Sequence, residues 1–430
     1  MGGLSLDIEL IALISMLGVF LLSNLLFKLP VSISMILGAI SGAIVGGEGI
    51  PLRHLFEGTF AYVDTCLIIS TAMLFMTAVQ ESGAMEALSS SIVRRFYRYP
   101  AIMLILLMVL VMFPGIITGS STAAVLSAGA LVAPVLLLVG IPKEKVGAII
   151  SMGAIMGMAA PPINIPAMLI GGGVDMPYIG FDGPLFLLTV PCAIFIVLFL
   201  GLRHCRNIDI EKIQSSLSED IGKRYGFRLY IPIVLLVALL VVSKVFPSFP
   251  QLGTCFIFLI SAVVACFTGK RFNPLEKAIS SMETTIPVMA KLMGVGMFIQ
   301  VMTLVGARGW IVVSSLALGL GFVYFASCTV MPAFGAVSSY GAASVMGVPF
   351  LLVIIQRGGS CDIVVAAALS FLCCLGDIMP PTALAGNYAA QIVGLKYGKV
   401  LKKSLIPFLF CVIVGLMVML NSSSLAFLAR

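Results

Sequence analysis

The sequence predicts an all-α polytopic membrane protein. It is organised as two inverted repeats, each holding a re-entrant helical hairpin and a helix broken midway. Three observations predict this. Apolar runs long enough to span a bilayer recur from end to end of the 430 residues. Two longer apolar regions are interrupted by Gly, Ser and Pro clusters, and the landmarks of the first interrupted region reappear in the same order in the second.

The composition is 60% hydrophobic and 10% charged, with a mean hydropathy of +1.17. A soluble domain carries about 25% charged residues. So few charges cannot clothe a globule in water, so the lipid bilayer must be the main solvent. The net charge of +7 does not signal nucleic-acid binding. Its basic residues are scattered at the ends of apolar runs, which is the pattern of topology determinants. The ten cysteines have no metal-type spacing, and most sit inside apolar runs, where cysteine acts as a small hydrophobe. The first apolar run lacks a basic leader and a small-residue cleavage site, so it reads as a first spanning helix.

A spanning helix needs about 20 apolar residues. Candidates are 8–27, 31–47, 62–80, 184–202, 229–246, 251–268, 286–306 and 405–421. The first repeat covers 1–202, with its hairpin at about 99–139 and its broken helix at about 143–172. The second covers 229–430, with its hairpin at about 309–356 and its broken helix at about 360–395. Between them, 203–228 is the most polar stretch and reads as a cytoplasmic linker. Irregular backbone at membrane depth is tolerated only where protein or water covers it, so the interruptions are where function belongs.

Lys and Arg orient the chain. With the N-terminus outside, Lys28, Arg94, Arg95, Arg98, Lys143 and Lys145 fall inside, as do the 203–228 cations. Lys270, Arg271, Lys277 and the lysines from Lys396 to Lys403 join them. Arg53, Lys244, Arg308, Arg357 and Arg430 fall outside, and Lys291 lies near or within a helix. The bias supports an even number of passes through each interrupted region, and a re-entrant hairpin and two complete spans satisfy it equally.

The repeat is visible by eye. Pro114, Ser120 and Ser121 correspond to Pro332, Ser338 and Ser339. Gly157, Pro161 and Pro162 correspond to Gly376, Pro380 and Pro381, at the same displacement within one residue. The topology gives the two sets opposite orientations, the arrangement expected of alternating-access carriers.

Each landmark offers chemistry. Gly119, Ser120, Ser121 and Thr122 lie between two apolar arms. A turn there presents free N–H groups to an anion, or hydroxyls and carbonyls to a cation. The same residues also suit close helix packing. Pro161-Pro162 and Pro380-Pro381 strip donors from the carbonyls before them, starting at Gly157 and Gly376, and sodium bound to carbonyl and hydroxyl oxygens is one remedy. A water-filled kink is another. Asn164 and Asn387, just past the breaks, suit either a substrate or a helix contact. Asp377 is an acid within a predicted span, which makes it a functional candidate, and Met158 holds the matching position in the first half. His54 and His204 lie outside the predicted spans and no HExxH motif occurs, so no catalytic residue is expected.

These residues carry a resemblance. Segments 28–42 (KLPVSISMILGAISG), 74–88 (LFMTAVQESGAMEAL) and 115–134 (GIITGSSTAAVLSAGALVAP) resemble the large membrane subunit of tripartite ATP-independent periplasmic (TRAP) transporters. Segments 153–172 (GAIMGMAAPPINIPAMLIGG) and 377–394 (DIMPPTALAGNYAAQIVG) continue it, so the resemblance covers nearly the whole chain. The last segment is more similar to the branch using TAXI-type binding proteins. The tip reads Gly-Ser-Ser-Thr where many relatives have Gly-Ser-Gly or Gly-Ser-Ala. The resemblance implies an elevator: a transport domain of hairpins and broken helices moving against a scaffold. It also implies import of a small organic anion, a carboxylate, across the inner membrane by sodium symport. The partners implied are a small TRAP membrane subunit and a periplasmic solute-binding protein, with no cofactor beyond the coupling sodium ions. Carried over, Gly119, Ser120, Ser121, Gly157 and Pro161 form one sodium site. Ser338, Ser339, Gly376, Asp377 and Pro380 form the other. Ser121, Thr122, Asn164, Ser339, Thr382 and Asn387 contact substrate. The alternatives are a stand-alone carrier of the wider ion-transporter superfamily, for a di- or tricarboxylate or an inorganic anion, and a membrane-embedded enzyme, which no motif supports.

The charge bias predicts that a cysteine introduced at Glu219 stays unlabelled by a membrane-impermeant maleimide in intact cells and reacts after permeabilisation. Labelling in intact cells reverses the topology.

Overall fold

A computed structural model describes residues 7–205, 224–245, 252–317, 319–357 and 360–429. The linker 203–228 therefore lies largely outside the described residues, as does Glu219. Among the described residues there is no strand, and nine helices are long and apolar enough to cross a membrane.

The first half runs α1 (Ile8–Leu21, continued by a π-helical turn to Leu26), α2 (Val31–Val45), α3 (Leu52–Phe60), α4 (Val63–Glu81) and α5 (Ala84–Phe96). The first hairpin follows. It consists of α6 (Pro100–Thr118), the single turn α7 (Ser121–Ala124), a π-helical stretch Val125–Gly129, and α8 (Ala130–Leu138). The broken helix is α9 (Lys143–Ala159) and α10 (Ile165–Gly172), and α11 (Asp182–Gly201) closes the half.

The second half runs α12 (Ile231–Val245), α13 (Gly253–Thr268), α14 (Pro274–Leu304) and α15 (Ala307–Leu316). Its hairpin is α16 (Leu320–Gly335), the single turn α17 (Ser339–Ala342), a π-helical stretch Ala343–Gly347, and α18 (Val348–Gln356). Its broken helix is α19 (Asp362–Leu375), a short 3-10 turn Gly376–Ile378, and α20 (Leu384–Ile392), followed by α21 (Tyr397–Leu420).

Three boundaries differ from the sequence reading. The second hairpin, expected from 309, begins at Leu320, because 309–316 belong to the separate helix α15. One apolar helix runs almost directly into the next apolar arm, with only the extended Gly319 to mark the joint. Helix α14, expected over 286–306, begins at Pro274. Asn273 caps it by accepting from the Leu275 N–H (3.2 Å), and Pro274 takes the first helical position, where no N–H is needed. Helices α3 and α5 are short and amphipathic, so no spanning-length apolar run announced them.

The helices pack in two groups. α1–α4 and α12–α14 form an outer group, in which α2 and α3 lie on α14 and α4 lies on α13. The hairpins, the broken helices, α11 and α21 form an inner group, with α5 and α15 joining the two. Every residue from Val146 to Ala159 and from Val364 to Leu375 is buried, so α9 and α19 are apolar all round because protein surrounds them.

Each hairpin crosses its broken helix at a pair of glycines. A Cβ on Gly115 would come within 2.8 Å of the Met158 nitrogen, and one on Gly157 would strike the backbone of Met112. In the second half, Cβ atoms on Gly335 and Gly376 would strike the backbones of Cys373 and Gly335. Such close approach needs residues without side chains. Polar contacts tie the helices together at both ends. Glu81 pairs with Lys277 (2.8 Å) and Glu86 with Lys270 (3.3 Å), all near the end read as inside. At the other end the Trp310 indole donates to Asp7 (2.9 Å) and Arg308 donates to the Gly173 carbonyl.

Overpacking a tight core costs about 1–3 kcal/mol or more. Gly157→Val and Gly376→Val should each lower the unfolding temperature and the monodisperse yield in detergent. Gly309→Ala, with open space around it, should match the wild type in the same thermal-stability assay.

Candidate functional site

Both hairpin tips are built the same way. Helix α6 ends at Gly119, whose φ of 63° turns the chain. Ser120 then caps α7, its hydroxyl accepting from the Ala123 N–H (3.3 Å). Ser338 caps α17 in the same manner, accepting from Gly341 (3.1 Å). The hydroxyl of Thr118 returns to the Pro114 carbonyl (2.7 Å), which sits one turn earlier in the helix.

The breaks are also matched. Pro161-Pro162 and Pro380-Pro381 are both cis. Neither proline of a pair can donate to the carbonyl four residues before it. The Gly157 carbonyl is rescued by the Ala160 N–H (3.1 Å), and that of Gly376 by Met379 (2.8 Å). The next carbonyls in line, those of Met158 and Asp377, meet no donor among the described residues.

The asparagines hydrogen-bond across the breaks. Asn164 is fully buried. Its amide donates to the Ala159 carbonyl (2.8 Å) and to Ser370 (3.3 Å), while its oxygen accepts from Ala167 (2.9 Å) and so caps α10. Asn387 donates back to the Thr382 carbonyl (2.8 Å). Neither lines the central cavity. Nor do Gly157 and Gly376, which pack against the hairpin arms, or Pro161 and Pro380.

That cavity, about 1020 Å³, lies where the tips meet. Tyr340 of the second tip donates to the Gly119 carbonyl of the first (3.2 Å). Ser121 of the first tip donates to the carboxylate of Asp377, and Ser339 of the second tip sits beside the same carboxylate. The sequence reading placed Asp377 with the second tip alone; the fold puts it between both. Thr382 hydrogen-bonds the Ala336 carbonyl (2.5 Å) at the cavity edge. Ser120, Ser121, Thr122, Ser338, Ser339 and Thr382 thus line one volume, together with Asp377.

The opposite wall is α14, which contributes Lys277, Ser280, Ser281, Thr284 and Lys291. Sequence reasoning passed over Lys291. Its signal was a cation inside the predicted span 286–306, which is a functional candidate on the same grounds as Asp377.

No curated protein sequence matches the chain. Among solved structures it resembles the YdaH transporter of Alcanivorax borkumensis, described as having an unusual topology, with a TM-score of 0.60 at 15% identity over 86% of this chain and 88% of that one. At that identity the likeness concerns the fold. The family described as "Tripartite ATP-independent periplasmic transporter, DctM component" matches residues 17–425. A membrane chain with two matched tips and two matched breaks, covered almost end to end by that family, belongs to the DctM family of TRAP transporters.

Proposed function

We propose that this chain is the sodium-coupled permease of a three-part uptake system for a small organic anion, a carboxylate, in the cytoplasmic membrane. A small membrane subunit and a periplasmic binding protein complete the system. The observation that carries the reading is the Asp377 carboxylate held between two hydroxyl-bearing hairpin tips, beside a solute-sized cavity.

Hard oxygen donors suit a small hard cation, by analogy with the rule for calcium and magnesium. Ser120, Ser121 and the orphaned Met158 carbonyl would serve one sodium ion. Ser338, Ser339, the Asp377 carboxylate and its orphaned main-chain carbonyl would serve the other. Unmet carbonyls in an apolar bundle are costly, so a bound ion would relieve them. Pro161 and Pro380 act by withholding donors, and Gly157 and Gly376 by admitting the hairpin arms. Thr122 and Thr382 face the cavity, where the solute would lie.

In alternating access the inner group would be the transport domain and the outer group the scaffold. An ion entering down 100 mV releases about 2.3 kcal/mol. A tenfold gradient adds about 1.4 kcal/mol. Two ions would deliver about 7 kcal/mol, ample for concentrating a monoanion.

Two outcomes are expected in proteoliposomes with an inward sodium gradient, assayed with radiolabelled lactate, succinate and citrate. First, the chain accumulates solute only when the small subunit and the loaded binding protein are present; robust uptake by the chain alone supports a stand-alone carrier instead. Second, Ser121→Ala, Ser339→Ala and Asp377→Asn each raise the sodium concentration for half-maximal uptake about five- to thirtyfold, the value of a hydrogen bond or ion contact of about 1–2 kcal/mol. Unchanged sodium dependence in all three variants removes sodium from the site.

A further inference from the structure

Helix α14 presents a polar stripe to the cavity. Lys277, Ser280, Ser281, Thr284 and Lys291 recur at helical spacing and fall on one face. The two lysines differ in their surroundings. Lys277 sits near the end read as inside and is paired with Glu81 (2.8 Å). Lys291 lies about 21 Å further along the helix at 1.5 Å per residue. Among the described residues no carboxylate comes within ion-pair distance of it, and no hydrogen bond holds its ammonium.

Asp377 is the acid whose charge reaches Lys291 through space. It does not close on the lysine, because its carboxylate is already engaged by Ser121, with Ser339 beside it. A cation without a partner inside an apolar bundle is expensive. Such a charge persists where a mobile anion completes it. The repeat also gives no structural need for it: matching Phe75, Gly83 and Ala84 with Phe298, Gly306 and Ala307 sets Ile68 at the corresponding first-half position.

We infer that Lys291 is the substrate's counter-ion: its ammonium binds a carboxylate group of the transported solute in the cavity, opposite the hydroxyls of the hairpin tips. The inference rests on the anion-uptake reading above and gives that site its specificity residue. Lys291 belongs to the outer group and the tips to the inner group. A carboxylate held between them bridges the two, and sliding of one group past the other must break one of the two grips. Lys277, nearer the mouth, offers the same charge to an anion on its way out once Glu81 yields.

The test uses the complete three-part system in proteoliposomes with lactate, succinate and citrate as probes. Lys291→Met should raise the solute concentration for half-maximal uptake about tenfold to a hundredfold, the value of a charge-assisted hydrogen bond. Lys291→Arg should retain most of the wild-type affinity, and the sodium dependence of both variants should stay put. Lys291→Cys supplies a variant that controls for misfolding. Its uptake should recover after treatment with 2-aminoethyl methanethiosulfonate, which restores a cation, and not after neutral methyl methanethiosulfonate, with the treated wild type as reference. Recovery with both reagents, or a Lys291→Met variant that shifts only the sodium dependence, overturns the inference and makes Lys291 a partner of the ion site. Carboxylate uptake by the wild type with unaltered Lys291→Met kinetics sinks this inference alone. Absence of carboxylate uptake by the wild type sinks the anion reading and the inference with it.

Discussion

Backbone polarity at the two helix breaks is the constraint on which the rest of the structure depends. Between α9 and α10 the helical ladder stops amid buried apolar side chains, and between α19 and α20 it stops at the buried turn Gly376–Ile378, just before the exposed Pro380 and Pro381. An amide or carbonyl left there without a partner costs several kcal/mol. The chain meets this with local devices repeated in both halves. A tightened turn recovers the Gly157 and Gly376 carbonyls, and an asparagine reaches back five residues at Asn164 and Asn387. Serine caps do the same work at the tips. Among the carbonyls that meet no donor in the described residues are those of Met158 and Asp377, at matched points of the two breaks and beside one cavity.

The tips then fix how the halves meet. Tyr340 closes on Gly119, and Ser121 closes on Asp377, so each half supplies a donor or an acceptor that the other lacks. Both bonds cross the junction between halves. They hold the hairpins together as one unit, while the glycine crossings hold each hairpin to its own broken helix. A body tied in both ways can move as a piece against the outer helices, which is what alternating access by rigid movement demands.

Much of this was legible in the sequence, for physical reasons that also explain what was not. Helices α6 to α10 turn or break where Gly, Ser and Pro punctuate the apolar region 99–172, because the bilayer leaves few folds for such a run. Helices α3 and α5 escaped because an amphipathic helix of one to four turns has no hydropathy peak. The start of α14 escaped because Glu276, Lys277 and Glu283 lower the local hydropathy although the helix continues through them. The roles of Asn164 and Asn387 were open in the sequence, since an amide past a break suits a ligand or a backbone carbonyl equally; in the structure both amides donate to backbone carbonyls, and Asn164 is also buried. Asp377 and Ser121 were both recognised as site residues but not as partners, because nothing local links residues so distant in the chain.

Lys291 was missed for a related reason, and the miss is instructive about asymmetry. The repeat directs attention to positions that match, yet the acid and the base of the cavity that stand outside its ion pairs occupy positions that do not: Asp377 stands against Met158, and Lys291 against Ile68. Both departures fall in the second half, and they carry opposite signs. A lone acid or a lone base at this depth would pay the full penalty of leaving water. Together they leave the cavity close to neutral, so neither imposes a large field on the bundle. They are still held apart, since the serine hydroxyls hold the acid and no acid holds the base. A cavity that is neutral in sum but divided in charge can receive a cation on one side and an anion on the other. Bringing both together costs less than bringing either alone, because each ion screens the charge left by the other. Such a division needs no relay through the fold; it follows from placing the acid between the hairpin tips and the base on the α14 wall they face.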